Sequence, residues 1–252
     1  MNKEERLSYN KTGWDNIADE WFGSTALPKY APLMDTETTL KLFGDIGGKK
    51  VLDIGCGSGH SLKYMGDCGA DELWGLDISS TQITNATKYL YENSYNANLF
   101  ESPMEVNPGI PEGYFDIVYS IYAFGWTVDL DKSIELVSKY LKPGGIFIMS
   151  WDHPLTSCVK VENKGIIFEK SYHELGLVDV SKMNEKMNFT KWNMSSYVNA
   201  FSSNNMYIVK LIEDICDDIK RGNFDDYDKY YSKWKSQILP LSMIIKARKE
   251  FD

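Results

Sequence analysis

The sequence predicts an α/β fold, a three-layer sandwich in which helices cover both faces of a mostly parallel sheet. Apolar runs ending at Asp53 and Asp77, with a shorter one at Asn98–Phe100, read as buried strands. Helical patterns at 60–68, from Ser79 or Ser80 to about Tyr91, and at 131–141 lie between and after them. Glycine-rich turns separate the two kinds of element, at Gly55–Gly59 and Pro143-Gly-Gly. Strand alternating with helix argues for parallel strands joined by crossovers.

The elements follow in order. Trp14, Ile17, Ala18 and Trp21 recur at i, i+3, i+4 and i+7, the stripe of an amphipathic helix, with Tyr9 before it and Tyr30 in the loop beyond. In the helix after Ser79, Ile83, Ala86 and Leu90 form the inward face; at 131–141 it is Ile134, Leu136, Val137 and Leu141. Beyond Trp151 the pattern loosens. Residues 155–193 hold isolated apolar patches, 195–201 suggest a short helix, 206–212 a strand, 223–234 a helical insertion and 239–247 a last strand. No repeat or linker divides the chain. It is expected to be one domain over 1–252, with a helical cap at about 1–45, a core at about 49–151, and a lid at about 155–193 with an insertion at 223–238.

The 252 residues suffice for one such domain. With 43% hydrophobic and 25% charged residues the composition is that of a soluble globular protein. A net charge of −9 argues against sequence-independent nucleic-acid binding, which needs basic surface. Cys56, Cys68, Cys158 and Cys216 lack the spacing of a zinc site or a disulfide framework, so no metal is expected. Met1-Asn-Lys-Glu-Glu-Arg has no apolar leader and no run reaches membrane-spanning length, which points to the cytoplasm. Monomer and homodimer both stay open.

Val51-Leu-Asp-Ile-Gly-Cys-Gly-Ser-Gly-His60 is the most informative segment. Three alternate glycines after a strand let the backbone turn sharply and approach a ligand. A dinucleotide fingerprint counted from Gly55 would place its third glycine at position 60, which is His60. Asp53 sets a carboxylate where a pyrophosphate would be repelled and an ammonium attracted. These features favour S-adenosylmethionine, a cationic adenosine compound without phosphate.

The decapeptide resembles the first motif of class I S-adenosylmethionine-dependent methyltransferases. Leu73-Trp-Gly-Leu-Asp77, Phe115-Asp-Ile-Val-Tyr-Ser-Ile and Leu141-Lys-Pro-Gly-Gly-Ile-Phe-Ile-Met-Ser resemble later motifs in the same order, across about residues 49–151. The resemblance implies a Rossmann-like seven-stranded sheet whose last strand is antiparallel, with helical lid insertions. It implies that Asp53 and the backbone of Gly55, Cys56, Gly57 and Gly59 hold the methionine part, that Asp77 holds the ribose, and that Ile78 packs on the adenine. Ser102-Pro103-Met104 stands where the family has an Asp and a small residue near the adenine amino group; Ser102 lacks that carboxylate. Ser120 stands where the family contacts the methionine moiety. An N-terminal helix often closes the pocket in this family, which makes Tyr9, Trp14 and Tyr30 candidates to line it.

For the acceptor, Trp126 and Tyr122 after the fourth strand are wall candidates, with Tyr172 and His173 in the lid. Transfer from a sulfonium requires alignment and water exclusion, and a base only for a protonated nucleophile. Of the three histidines, His153 after the fifth strand is the candidate base, His60 is read as a surface or capping residue, and Asp116 as structural. Tyr119-Ser-Ile-Tyr replaces the Asn-Pro-Pro-Tyr of many base-amino methylating enzymes. The leading expectation is methyl transfer to a small-molecule O, N or C nucleophile, with S-adenosylhomocysteine as product, by an enzyme resembling the ubiquinone/menaquinone type. The alternatives are a non-catalytic S-adenosylmethionine sensor or assembly protein and, more weakly supported, an NAD(P)-dependent oxidoreductase.

Overall fold

Seven strands build one sheet in the computed structural model, which describes residues 1–251. Asn2 opens the chain with a capping box: its side chain accepts from the Glu5 N–H while the Glu5 carboxylate accepts from the Asn2 N–H. Helix α1 therefore runs Lys3–Ile17, earlier than the Trp14–Trp21 stripe predicts. Trp21 falls in the turns that follow the helix. A short α2 (Glu37–Leu40) leads to β1 (Lys50–Ile54), α3 (His60–Asp67), β2 (Glu72–Asp77), α4 (Ser80–Glu92) and β3 (Ala97–Glu101). Then come β4 (Phe115–Ile121), α5 (Leu130–Tyr140) and β5 (Leu141–Asp152).

Two hairpins occupy the lid: β6 (Val159–Glu162) with β7 (Gly165–Phe168), and β8 (Gly176–Lys182) with β9 (Glu185–Lys191). The expected helical lid is thus corrected to β-structure. Asn163–Lys164 and Met183–Asn184, all at positive φ, turn the two hairpins tightly. Alternation in Leu177–Lys182 and Lys186–Lys191 carries the signal, which the patchy apolar content of 155–193 obscures. Helix α6 (Met194–Ser203) and β10 (Met206–Ile212) follow, then α7 (Asp217–Arg221), α8 (Lys233–Ser236) and β11 (Ser242–Lys249). The insertion expected to be helical at 223–234 is mostly turns, helical only from Lys233. Asp226 accepts from Ser232 Oγ and from the backbone N–H groups of Lys233 and Trp234, a local alternative to helix hydrogen bonding.

The sheet order is β10-β11-β5-β4-β1-β2-β3. β1 pairs in parallel with both β2 and β4, and β11 is antiparallel to both of its neighbours. Strand order reverses at β1, and the carboxyl ends on either side of such a reversal form a crevice. Val51, Leu52 and Ile54 are buried because both sheet faces are covered. One core packs α5, α6 and the β8–β9 hairpin; the other packs α3, α4 and residues 27–46. At the opposite edge Asp116 accepts from the Lys50 N–H and pairs with Lys142, the structural role expected of it. No helix among the described residues is long and apolar enough to cross a membrane.

Candidate functional site

The crevice beside β1 opens into a cleft lined by the glycine loop, the ends of β1 and β2, and the turn after β4. Gly55 and Gly57 turn the loop with φ of +75° and +50°. A Cβ at Gly55 would collide with Ala123, so the loop packs against the turn after β4. A Cβ at Gly57 would meet nothing closer than Gln82 Oε1 at 3.9 Å, so this backbone faces open space. Asp77, at the end of β2, accepts from the Gly57 N–H through Oδ2 and from the Ser79 N–H through Oδ1, both at 2.9 Å. Each carboxylate oxygen keeps a lone pair for another donor. Burial pushes Asp77 up to about 6.

Asp53 is buried and its Oδ1 has no hydrogen-bond partner. Burial, then the Asp77 charge, holds it well above the usual carboxylate range. Such a pair is poised for a cationic ligand. Burial, and after it the Asp77 and Asp53 charges, pushes the Cys56 thiol up, so it is a packed, unreactive group on the cleft wall.

Ile78, Ser102, Pro103 and Met104 line the cleft, as do Trp14 from α1 and Tyr122 and Trp126 after β4. Other expected residues lie elsewhere. Gly59 faces away: a Cβ there would press on Ala86 and Leu90, so its role is to let α3 pack on α4. Ser120 is fully buried and donates to the Ile54 carbonyl at 2.6 Å, tying β4 to β1. Tyr9 is on the outer face of α1, where it borders Glu185 and Lys186. Tyr30 is core: its hydroxyl donates to Glu37 at 2.6 Å and its ring stacks on Phe43. His173 is exposed, and the Tyr172 hydroxyl accepts from the Met194 N–H.

His153 is also displaced. It is 5% exposed, with Nε2 2.8 Å from Glu213 and Nδ1 accepting from the Leu155 N–H. Both ring nitrogens are engaged, and burial lowers its affinity for a second proton despite Glu213. It borders a smaller chamber, separate from the cleft, so the expected base is corrected to a structural histidine.

Several cleft residues have no motif behind them. Asn10 and the Gly23–Thr25 turn line it because α1 starts early and ends at Ile17. His60 also lines it, held by Ser58 Oγ at 3.1 Å and stacked on Tyr89, which corrects its assignment to the surface. Gln82 Oε1 and Glu105 Oε2, both buried, have no partner. The Asn2–Glu5 capping box was the one readable signal for the helix start.

The lid meets the cap through a cation. Lys182, at the tip of the β8–β9 hairpin, places Nζ 4.4 Å from the ring centre of Trp21, 5.5 Å from Trp14 and 5.6 Å from Trp126. Burial lowers its pKa, opposed by Asp152. No group of three metal-ligating side chains is present among the described residues.

Residues 52–149 match a family described as "Methyltransferase domain". Among curated relatives, a ubiquinone biosynthesis O-methyltransferase of Pectobacterium carotovorum is 31% identical over 98 residues, 39% of this chain and 41% of that protein. A tRNA U34 carboxymethyltransferase of Idiomarina loihiensis is 27% identical over 137 residues, 53% of this chain and 39% of that one. The chain spans about half the length, or less, of the curated relatives it matches. The crystal structure of an S-adenosylmethionine-dependent methyltransferase from Mesorhizobium loti shares the fold, with a TM-score of 0.66 at 19% identity over 81% of this chain and 93% of that one.

Proposed function

We propose that this chain, whose residues 52–149 match a methyltransferase-domain family, is a class I S-adenosylmethionine-dependent methyltransferase and transfers the methyl group of that cofactor to a small-molecule nucleophile. The observation that carries it is the acidic cradle: an unpartnered buried Asp53 oxygen beside Asp77, below a Gly57 backbone with open space in front. The residues fit the cofactor. Asp53 would pair with its ammonium, the Gly57 backbone leaves room for the methionine part, Asp77 has lone pairs for the ribose hydroxyls, and Ile78 and Met104 offer apolar faces for the adenine. When bound, S-adenosylmethionine supplies an activated methyl on a sulfonium.

The protein's part is to orient and to exclude water. Trp14 and Trp126 stand edge to face at 5.3 Å and wall the cleft, while Lys182 draws the hairpin down on them. Residues 1–252 would act as one unit of cap, core and lid. The net charge of −9 supports a small acceptor over a nucleic acid. Against a dinucleotide, Asp77 occupies the Gly57 N–H that a pyrophosphate would need.

Isothermal titration with S-adenosylmethionine and S-adenosylhomocysteine tests the donor site, and a label on the methyl then tests phenols, amines, quinone precursors and bulk tRNA. Binding of both with label entering a small molecule is expected. Label entering tRNA alone would replace the acceptor class, binding without any transfer would favour a sensor, and no binding would end the proposal.

A further inference from the structure

Tyr122 stands on the cleft wall at φ +55°, a conformation costly for a residue with a Cβ, and strain of this kind concentrates at functional sites. Its neighbours show where on the wall it is. Ile121 and Ala123 also line the cleft, and Ala123 is the residue that a Cβ at Gly55 would strike. Tyr122 therefore borders the glycine loop. Hydrogen bonds hold it at both ends. Its N–H donates to the Ser150 carbonyl at 3.1 Å, and its hydroxyl donates to Asp152 Oδ1 at 2.7 Å. Ser242 Oγ, 2.7 Å away, is left to donate to the phenol oxygen. Asp152 is braced in turn: Oδ1 also accepts from Tyr231 and Oδ2 from Tyr230, both at 2.8 Å, while Lys182 and Lys235 feel its charge. Burial raises the Asp152 pKa, and the three hydroxyl donors oppose that rise by favouring the carboxylate.

We infer, resting on the donor-site reading above, that the Tyr122 ring is the contact for the cofactor's sulfonium, and that Asp152 positions and polarises that ring so that it favours the charged donor over the neutral product. In S-adenosylmethionine the sulfur lies between the amino-acid tail and the ribose. With the ammonium at Asp53 and the ribose at Asp77, the sulfur spans the mouth of the glycine loop, the stretch of cleft that Tyr122 borders. A cation against an aromatic face is attracted by the ring quadrupole. A phenol that gives its hydrogen bond to a carboxylate has a more electron-rich ring, which strengthens the attraction.

The other aromatic walls are less suited. Trp14, Trp21 and Trp126 already share the Lys182 ammonium, which would repel a second cation. Among the described residues no ammonium lies over Tyr122. When the methyl is transferred, the electron pair of the broken carbon–sulfur bond stays on sulfur. The sulfur is then neutral, and the contact that held the donor no longer holds the product.

Titration calorimetry with S-adenosylmethionine, S-adenosylhomocysteine and sinefungin, which carries an amine in place of the sulfonium, reads this contact without an acceptor. Tyr122→Leu should weaken the two cationic ligands about tenfold relative to neutral S-adenosylhomocysteine. Tyr122→Phe and Asp152→Asn should each give a smaller relative loss, about threefold, because the ring stays and only its polarisation goes. Combining the last two should lose no more than either alone, since both act through one hydrogen bond. If Asp152→Asn does not fold, Tyr122→Phe decides the matter. Equal weakening of all three ligands in Tyr122→Leu, or an unchanged ratio in Tyr122→Phe, would reduce Tyr122 to a structural residue and overturn the assignment. Failure of wild type to bind S-adenosylmethionine and S-adenosylhomocysteine would instead overturn the donor reading.

Discussion

Gly57 donates its backbone N–H to Asp77 Oδ2 across 2.9 Å, locking the glycine loop to the end of the neighbouring strand. One carboxylate thus shapes the loop and lines the cleft. Removing it in Asp77→Ala should weaken S-adenosylhomocysteine binding by about 1–3 kcal/mol, the loss of charged hydrogen bonds. Titration calorimetry checks this, and an unchanged dissociation constant would mean that the ribose lies elsewhere.

The same group sets a pH dependence. Asp77 is raised to about 6 in the folded protein, from an ordinary value near 3.8. Between these values the folded state holds a proton that the unfolded state has released. Its contribution to stability is therefore largest at low pH and falls as pH rises through 6. A ligand that needs the carboxylate ionised should bind more weakly as pH falls below 6, by up to about tenfold per unit. Asp77→Asn should flatten that slope between pH 5 and 7.

Gly57→Ala tests the open space over the loop. The added methyl meets no protein atom within 3.4 Å, so the fold should survive at the cost of a left-handed alanine, about 1–2 kcal/mol. S-adenosylhomocysteine binding should fall at least about tenfold because the methyl occupies ligand space. Full affinity in this variant would place the ligand away from the loop.

Glu37 should act on stability alone. Its buried carboxylate accepts from the Tyr30 hydroxyl and from the backbone N–H groups of Leu42 and Phe43. Glu37→Ala strands three buried donors and should cost about 2–4 kcal/mol, seen as a lower Tm. Cofactor affinity measured below the transition should not change.

His153→Gln separates a structural histidine from a catalytic one. Because burial lowers its folded pKa, stability tied to its neutral form is fully present above about 6.5 and is lost as pH falls from there through the lower folded value. The variant should lose this part of the acid sensitivity while keeping transfer activity. A large fall in turnover with stability intact would restore it as the base.

Val51–His60, Asp77 and the strand–helix alternation were legible because each is a local pattern. A buried strand, a tight glycine turn and a capped helix follow from neighbouring residues, and the donor side of the cleft is built from these. Tyr30 and Ser120 were misread for a related reason: residue type and position along a strand do not say whether a hydroxyl turns inward to Glu37 or Ile54, or outward to a ligand. Met183–Asn184 turns a hairpin that the patchy composition of 155–193 concealed.

The amino-acid sequence by itself determined the strand–helix alternation of the core, the glycine loop and the two acids beside it, Asp53 and Asp77, since these are patterns within a few tens of residues. Only the tertiary structure decided the rest. Tyr122, Asp152 and Tyr230–Tyr231 lie up to 109 positions apart in the chain, and Lys182 meets Trp14 and Trp21 across more than 160. Those groups meet because β5 ends beside the turn after β4 and a hairpin folds back over the N-terminal helix. Such long-range packing leaves no periodicity or spacing in the chain to read.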